Sequence, residues 1–249
     1  MDLPDSPTTR RALLGGLGTV LAGAGVVYGA SRLDAEPSPP PDVPFHRSTA
    51  TSDFGIDLRG HPIMGVSDAS LDVYYWSDYQ CPFCRRFERN TLPELIENHV
   101  ETGSVRIVFI EYPYLGEAST TAAVLDRCVW RQVREETPAR YWAWHSAVFD
   151  AQERGNSEWA SRANLLDITR RVDGIDAAAV DACATERGSA IEASIREDVQ
   201  QASQYGIRGS PAFVLYNRET NAAGKMVGAQ PYDRFDEAIS KVKGAVGDV

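Results

Sequence analysis

The chain has 249 residues, 43% hydrophobic and 24% charged, enough to bury one sizeable core. Its net charge of −10 argues against a nucleic-acid partner. Only Lys225, Lys241 and Lys243 among the 25 cationic residues are lysine; this fits a halophilic source, where salt screens an acidic surface, and equally a GC-rich genome that favours arginine codons.

Thr9-Arg10-Arg11 precedes an uncharged run from Ala12 to Ala30 that holds six glycines. Paired arginines before a weakly apolar, glycine-rich stretch read as a twin-arginine export signal, with an ordinary secretory signal as the alternative. As a helix the run spans roughly 28 Å, close to a bilayer core, so residues 1–30 are expected either to be cleaved or to stay as a membrane anchor. Glycine at this density is too costly for a buried core helix. Residues 31–55 hold five prolines and many small polar residues and read as an extended linker, with no role for His46.

From residue 56 to about 246 the pattern is that of an α/β domain. "DLRGHPIMG" is a short strand candidate, and "LDVYYWS" (71–77), β-branched and aromatic, a stronger one. A helix opens at Cys81 with Pro82 in its first turn, and Pro93 should interrupt it. Residues 104–113 read as a strand that ends at Pro113. Residues 116–188 carry no strand pattern and read as an inserted helical block. A further helix, with Ile191, Ile195, Val199 and Ala202 on one face, stops at Gly206. "PAFVLYN" (211–217) and "KMVGA" are strands either side of a turn at 221–224, and a helix over 231–246 closes the chain.

The chemistry centres on "DYQCPFCRR", residues 78–86. A cysteine at a helix N-terminus faces free backbone N–H groups and the positive end of the helix dipole, which favour its thiolate. Cys81 holds that place, as the outer, solvent-facing sulfur; Cys84, nearly one turn on, is within reach and faces inward. Zinc is disfavoured, because there is one such pair and His46, His61, His99 and His145 have no ligand spacing. An inert staple is disfavoured too, since so short a loop removes little chain entropy. Asp78 would raise the Cys81 pKa if near it, and Arg85 and Arg86 would lower it; the plainer reading of all three is a solvated charge. The aromatics Tyr141, Trp142, Trp144 and Phe149 recur at helical period and read as core, with His145 packed among them rather than acting as a base.

The strand, "SDYQCPFC", the helix, the helical insertion and then "YGIRGSPAFV" together resemble the DsbA-like branch of the thioredoxin superfamily. The resemblance implies a thioredoxin-like fold, a central mixed sheet flanked by helices, with an inserted helical subdomain. It implies thiol–disulfide exchange in which Cys81 attacks or transfers and Cys84 resolves. It implies a cis bond between Ser210 and Pro211, placing that loop beside Cys81, with the Ser210 backbone pairing an extended substrate segment as an added strand. Pro82 and Phe83 complete the substrate-facing set. No cofactor or metal is implied. The partners are cysteine-containing substrate proteins and a membrane redox protein for reoxidation, in an extracytoplasmic setting. Some relatives carry a cysteine pair where Cys128 and Cys183 stand; a structural disulfide is expected in an oxidising compartment, two buried thiols otherwise.

Three features depart from the pattern. Tyr75 occupies the strand position where relatives often carry Glu, so the carboxylate that helps move the inner thiol's proton is missing there, and that role is either lost or passes to a water. Ser210 replaces the usual Thr or Val. Phe83 offers no imidazole to stabilise a thiolate, which predicts a less extreme oxidant than relatives with His at that place. The same site also admits a reductase or isomerase, and a tethered peptide-binding or chaperone module would use the fold with a non-catalytic cysteine pair.

Overall fold

Residues 42–153 and 158–245 are described by the structure, a computed structural model. The signal or anchor at 1–30 and the start of the linker lie outside the described residues. Among the described residues no helix is long and apolar enough to cross a membrane. All of them fall in one unit, Ala35–Val249.

Six strands form one mixed sheet: β1 (Phe45–His46), β2 (Ile63–Met64), β3 (Leu71–Ser77), β4 (Val105–Glu111), β5 (Ala212–Asn217) and β6 (Ala223–Val227), in the order β1-β2-β4-β3-β5-β6. β3 runs parallel to β4 and antiparallel to β5, so Tyr75 lies between Phe109 and Phe213. Every residue of β3 is buried, Asp72 and Ser77 included, because both faces of the sheet are covered. Alternation sends Val73 and Tyr75 into the larger core, with Phe109 and Phe213, and Tyr74 and Trp76 into a smaller one on the other face, with Val108, Ile110 and Val214. Asp72 sits within the sheet fully buried, and Arg106 on the neighbouring strand meets it at 2.6 Å.

The helices are α1 (Pro82–Asn90), α2 (Leu92–Leu95), α3 (Glu117–Val133), α4 (Arg140–Ala151), α5 (Arg162–Arg170), α6 (Ala177–Gln204) and α7 (Tyr232–Gly244). The helix breaks at Thr91, between α1 and α2, and Pro93 falls in the first turn of α2, whose end widens into a π-helical turn, Ile96–Val100.

Three boundaries differ from the sequence reading. The linker does not extend to residue 55: Val43 and Phe45 are buried, Phe45–His46 pairs with β2, and the Phe45 ring lies 6.1 Å from Tyr141 and 6.4 Å from Trp142. One large apolar side chain with an aromatic surface to cover outweighs the proline-rich composition around it. The helical block does not end near 188 either. A single 28-residue helix, α6, runs through Gly188, which keeps an ordinary helical backbone. Asp176 caps its start by accepting from the N–H groups of Ala178 and Ala179. The last turn is also shifted slightly, β6 beginning at Ala223 after Asn221 takes a positive φ of 61°.

Candidate functional site

The site forms where the C-terminal end of β3 meets the start of α1. Asp78 shapes the connection: its buried carboxylate accepts from the backbone N–H of Gln80 (2.8 Å), Tyr114 (3.1 Å) and Leu115 (3.3 Å). Asp78 is therefore not a solvated surface charge; it ties the cysteine loop to the segment after β4. Burial pushes its carboxyl up, and the Gln80 N–H opposes that shift. Arg85 donates to the carbonyl of Phe149, and the Arg86 guanidinium lies 5.2 Å over the Phe83 ring.

Cys81 is the N-cap of α1, followed by Pro82 at the first turn. Pro82 and Phe83 are exposed, Phe83 by 52%. The Ser210–Pro211 bond is cis, and its loop lies against both cysteines. The Cys81 thiol is 3.4 Å from the Ser210 carbonyl, and the Cys84 thiol is 3.2 Å from the Ser210 hydroxyl. The structure thus brings Cys81, Cys84, Ser210 and Pro211 together, with Pro82 and Phe83 on the outer rim. Cys81 and Cys84 are both free thiols, while Cys128 and Cys183 are joined to each other, linking α3 to α6.

The two free thiols have opposite electrostatics. Cys81 is lowered to about 6, by the hydrogen bond from Cys84 first, against the effect of burial, and then by the Cys84 backbone N–H, Ser210 and Tyr114. Burial pushes Cys84 well above the ordinary cysteine value, and Cys81 adds to that. A sulfur that is an anion at neutral pH beside one that holds its proton is the pairing that exchange chemistry uses.

One expectation fails here. Cys81 is not open to solvent: it has no exposed surface. Tyr114, itself 45% exposed, donates its hydroxyl toward Cys81 Sγ at 3.7 Å and covers it. The helix tip fixes where the sulfur is, but a residue 33 positions away decides whether it is reached. Tyr114 carries no sequence signal for this role, lying in the "EYPYLG" loop with no motif around it.

Beneath the cysteines lies a second feature that sequence reasoning missed. The Glu88 carboxylate, one turn beyond Cys84, lies 3.0 Å from His145 Nε2. His145 Nδ1 meets the Tyr79 hydroxyl at 2.8 Å, and both Tyr79 and Tyr141 donate to Asp126 (2.7 and 2.8 Å). All are buried, so His145 is more than a packed aromatic: it links two buried carboxylates. Tyr75 is fully buried, its ring stacked on Phe213 with centroids 5.0 Å apart. Burial pushes its phenol well up, with Glu88 and Cys84 as the next causes. The Cys84-to-Glu88 spacing of four on a helix was the available signal.

Among the described residues no group of three or more His, Cys, Asp or Glu is placed to hold a metal ion. A mixed sheet of this order with a reactive cysteine pair at the head of α1 defines a thiol–disulfide oxidoreductase of DsbA-like, thioredoxin-like build. Residues 58–241 match the family model described as Thioredoxin, and the chain belongs to that family. The probable disulfide bond formation protein D of Bacillus anthracis is 25% identical over 180 residues, 72% of this chain and 76% of that protein. Two solved structures share the fold. BdbD from Bacillus subtilis, in its oxidised form, aligns with a TM-score of 0.64 at 22% identity, over 80% of this chain and 100% of that one. Wolbachia pipientis alpha-DsbA1 aligns with a TM-score of 0.65 at 22% identity, over 78% and 96%.

Proposed function

We propose that the chain works outside the cytoplasm and donates disulfides to folding proteins through Cys81 and Cys84. The observation that carries this reading is the asymmetry of the pair: Cys81 held near 6, Cys84 held protonated, both against the cis Ser210–Pro211 loop. The relative in Bacillus anthracis, called a probable disulfide bond formation protein, points the same way.

In the oxidised enzyme a substrate thiolate attacks Cys81 Sγ. The Cys81–Cys84 bond breaks, Cys84 leaves as a thiolate, and its high pKa draws a proton to it. A second substrate thiolate then attacks the substrate sulfur of the mixed disulfide, and Cys81 leaves as a stable thiolate. Two electrons pass from the substrate dithiol to the pair, and the substrate gains a disulfide. A low pKa makes Cys81 a good leaving group, which favours donation over reduction. With Phe83 in the motif, a Cys81 pKa near 6 rather than far lower fits an oxidant of intermediate strength.

The substrate segment lies extended along the Ser210 backbone as an added strand, beside exposed Pro82 and Phe83, after Tyr114 swings off Cys81. Reoxidation falls to a membrane redox protein, and residues 1–30 export the chain or anchor it close to that partner. The test is oxidative refolding of a reduced substrate, with the reduction potential of the pair measured in glutathione buffers. Cys81→Ser with Cys84 intact is expected to abolish turnover. A potential near −270 mV, in the range of about −270 to −120 mV spanned by reductants and strong oxidants, would instead assign the pair to reduction. Unchanged biological activity in Cys81→Ser would assign the chain to peptide binding.

A further inference from the structure

Five of the chain's arginines converge on one cavity of about 300 Å³ remote in sequence from the cysteine motif. Arg127 and Arg131 come from α3, Arg134 from its C-cap, Arg187 from α6, and Arg59 from the loop before β2. Gly60, Ala190, Ile191 and Ser194 complete the lining, so no carboxylate faces the cavity. This is unusual in a chain of net charge −10. Three of the guanidiniums are held from outside the lining. Asp57 grips Arg59 with both oxygens, Asp198 meets Arg127 at 2.8 Å, and Glu135 lies 3.3 Å from the Arg134 Nε while also pairing with Arg47. Among the described residues Arg131 and Arg187 have no carboxylate partner. Arg127 is buried, at 5% exposure, and its Nε has no hydrogen-bond partner.

The fold holds these like charges together. The Cys128–Cys183 disulfide clamps α3 to α6, and Arg131 and Arg187 each follow their bridged cysteine by about one helical turn. Gly60 allows the third wall to close: its φ is +84°, and a Cβ there would stand 2.6 Å from Arg127 Nη1. Burial and the nearby charges of Arg187 and Arg134 lower the pKa of Arg131, as expected of a cation crowded by cations.

We propose that this cavity binds a small oxyanion of two negative charges: phosphate, sulfate or a phosphomonoester. Two guanidiniums without a carboxylate match a dianion in charge. The planar forks of Arg131 and Arg187 supply charge-assisted hydrogen bonds to its oxygens, and Ser194 adds a hydroxyl. A cavity of this volume holds more than one bare tetrahedral ion, which leaves room for the organic part of a phosphomonoester.

The test is calorimetric titration of the full chain with inorganic phosphate, at ionic strength held constant with chloride. Saturable binding is expected. Arg131→Gln and Arg187→Gln are each expected to weaken it about tenfold, while Arg170→Gln, which removes an exposed cation paired with Asp167 on α5, leaves it unchanged. A second readout guards against a general loss of folding. In phosphate-free buffer the Arg131→Gln/Arg187→Gln chain melts no lower than the parent, since repulsion is relieved, and phosphate raises the melting temperature of the parent alone. No saturable heat, or equal affinity in the parent and in both single variants, overturns the proposal.

Discussion

Ser210 does more than precede a proline. Its hydroxyl lies 3.2 Å from Cys84 Sγ and helps to lower Cys81. Ser210→Ala is therefore expected to raise the Cys81 pKa by about one unit and make the pair less oxidising by roughly 30 mV, read from ultraviolet thiolate absorbance and glutathione equilibria. Tyr114 gives a second residue-scale prediction. Tyr114→Ala uncovers Cys81, so its alkylation rate should rise several-fold at a pH where the thiolate is fully formed, even though one hydrogen bond to the sulfur is lost. An unchanged rate would show that the tyrosine is no cover. The positions of both cysteines were legible in the sequence, because a helix N-cap is a local property. The cover was not: Tyr114 reaches Cys81 through the packing of the segment after β4, and no local pattern encodes that contact.

At the scale of elements, the long helix α6 and its bond to α3 organise the helical insertion. Gly188-Ser189 invites a break on propensity alone, yet α6 continues through it, because Ile191 and Ile195 pack on the core and hold the C-terminal half in line with the N-terminal half. The disulfide spans 55 residues of chain. Replacing Cys128 and Cys183 by alanine is expected to cost about 4 kcal/mol by loop-closure entropy, with a smaller loss usual in practice. Chemical denaturation of the double variant and the parent, each with Cys81–Cys84 in the same redox state, measures it. β1 shows the opposite error. Composition marked its surroundings as linker, and only the aromatic pocket of Tyr141 and Trp142 recruits Phe45 into the sheet.

For the whole molecule, the redox state and stability are linked through pH. Cys81 in the reduced chain titrates near 6, below its ordinary cysteine value, so the folded state holds fewer protons than the unfolded one between those limits. The reduced chain should therefore gain stability as pH rises from about 6 toward the ordinary cysteine value, and lose that gain as pH falls through about 6. The oxidised chain has no thiol at Cys81 to titrate and should not show this component. Thermal unfolding of both forms across that window tests it; parallel curves would remove the thiolate from the account.

The sequence alone determined what depends on near neighbours. The strand β3, the helix capped by Cys81, the break just ahead of Pro93 and the cysteine spacing all follow from apolar runs, caps and proline geometry, which act over a few residues. The tertiary structure alone decided what depends on distant partners. These include the enclosure of Cys81 by Tyr114, the joining of Glu88 to Asp126 through His145, the strand at Phe45 and the gathering of five arginines around one cavity. Each of these contacts joins residues far apart in the chain, and burial and electrostatics at such distances are set by how the sheet and helices pack, not by any local pattern.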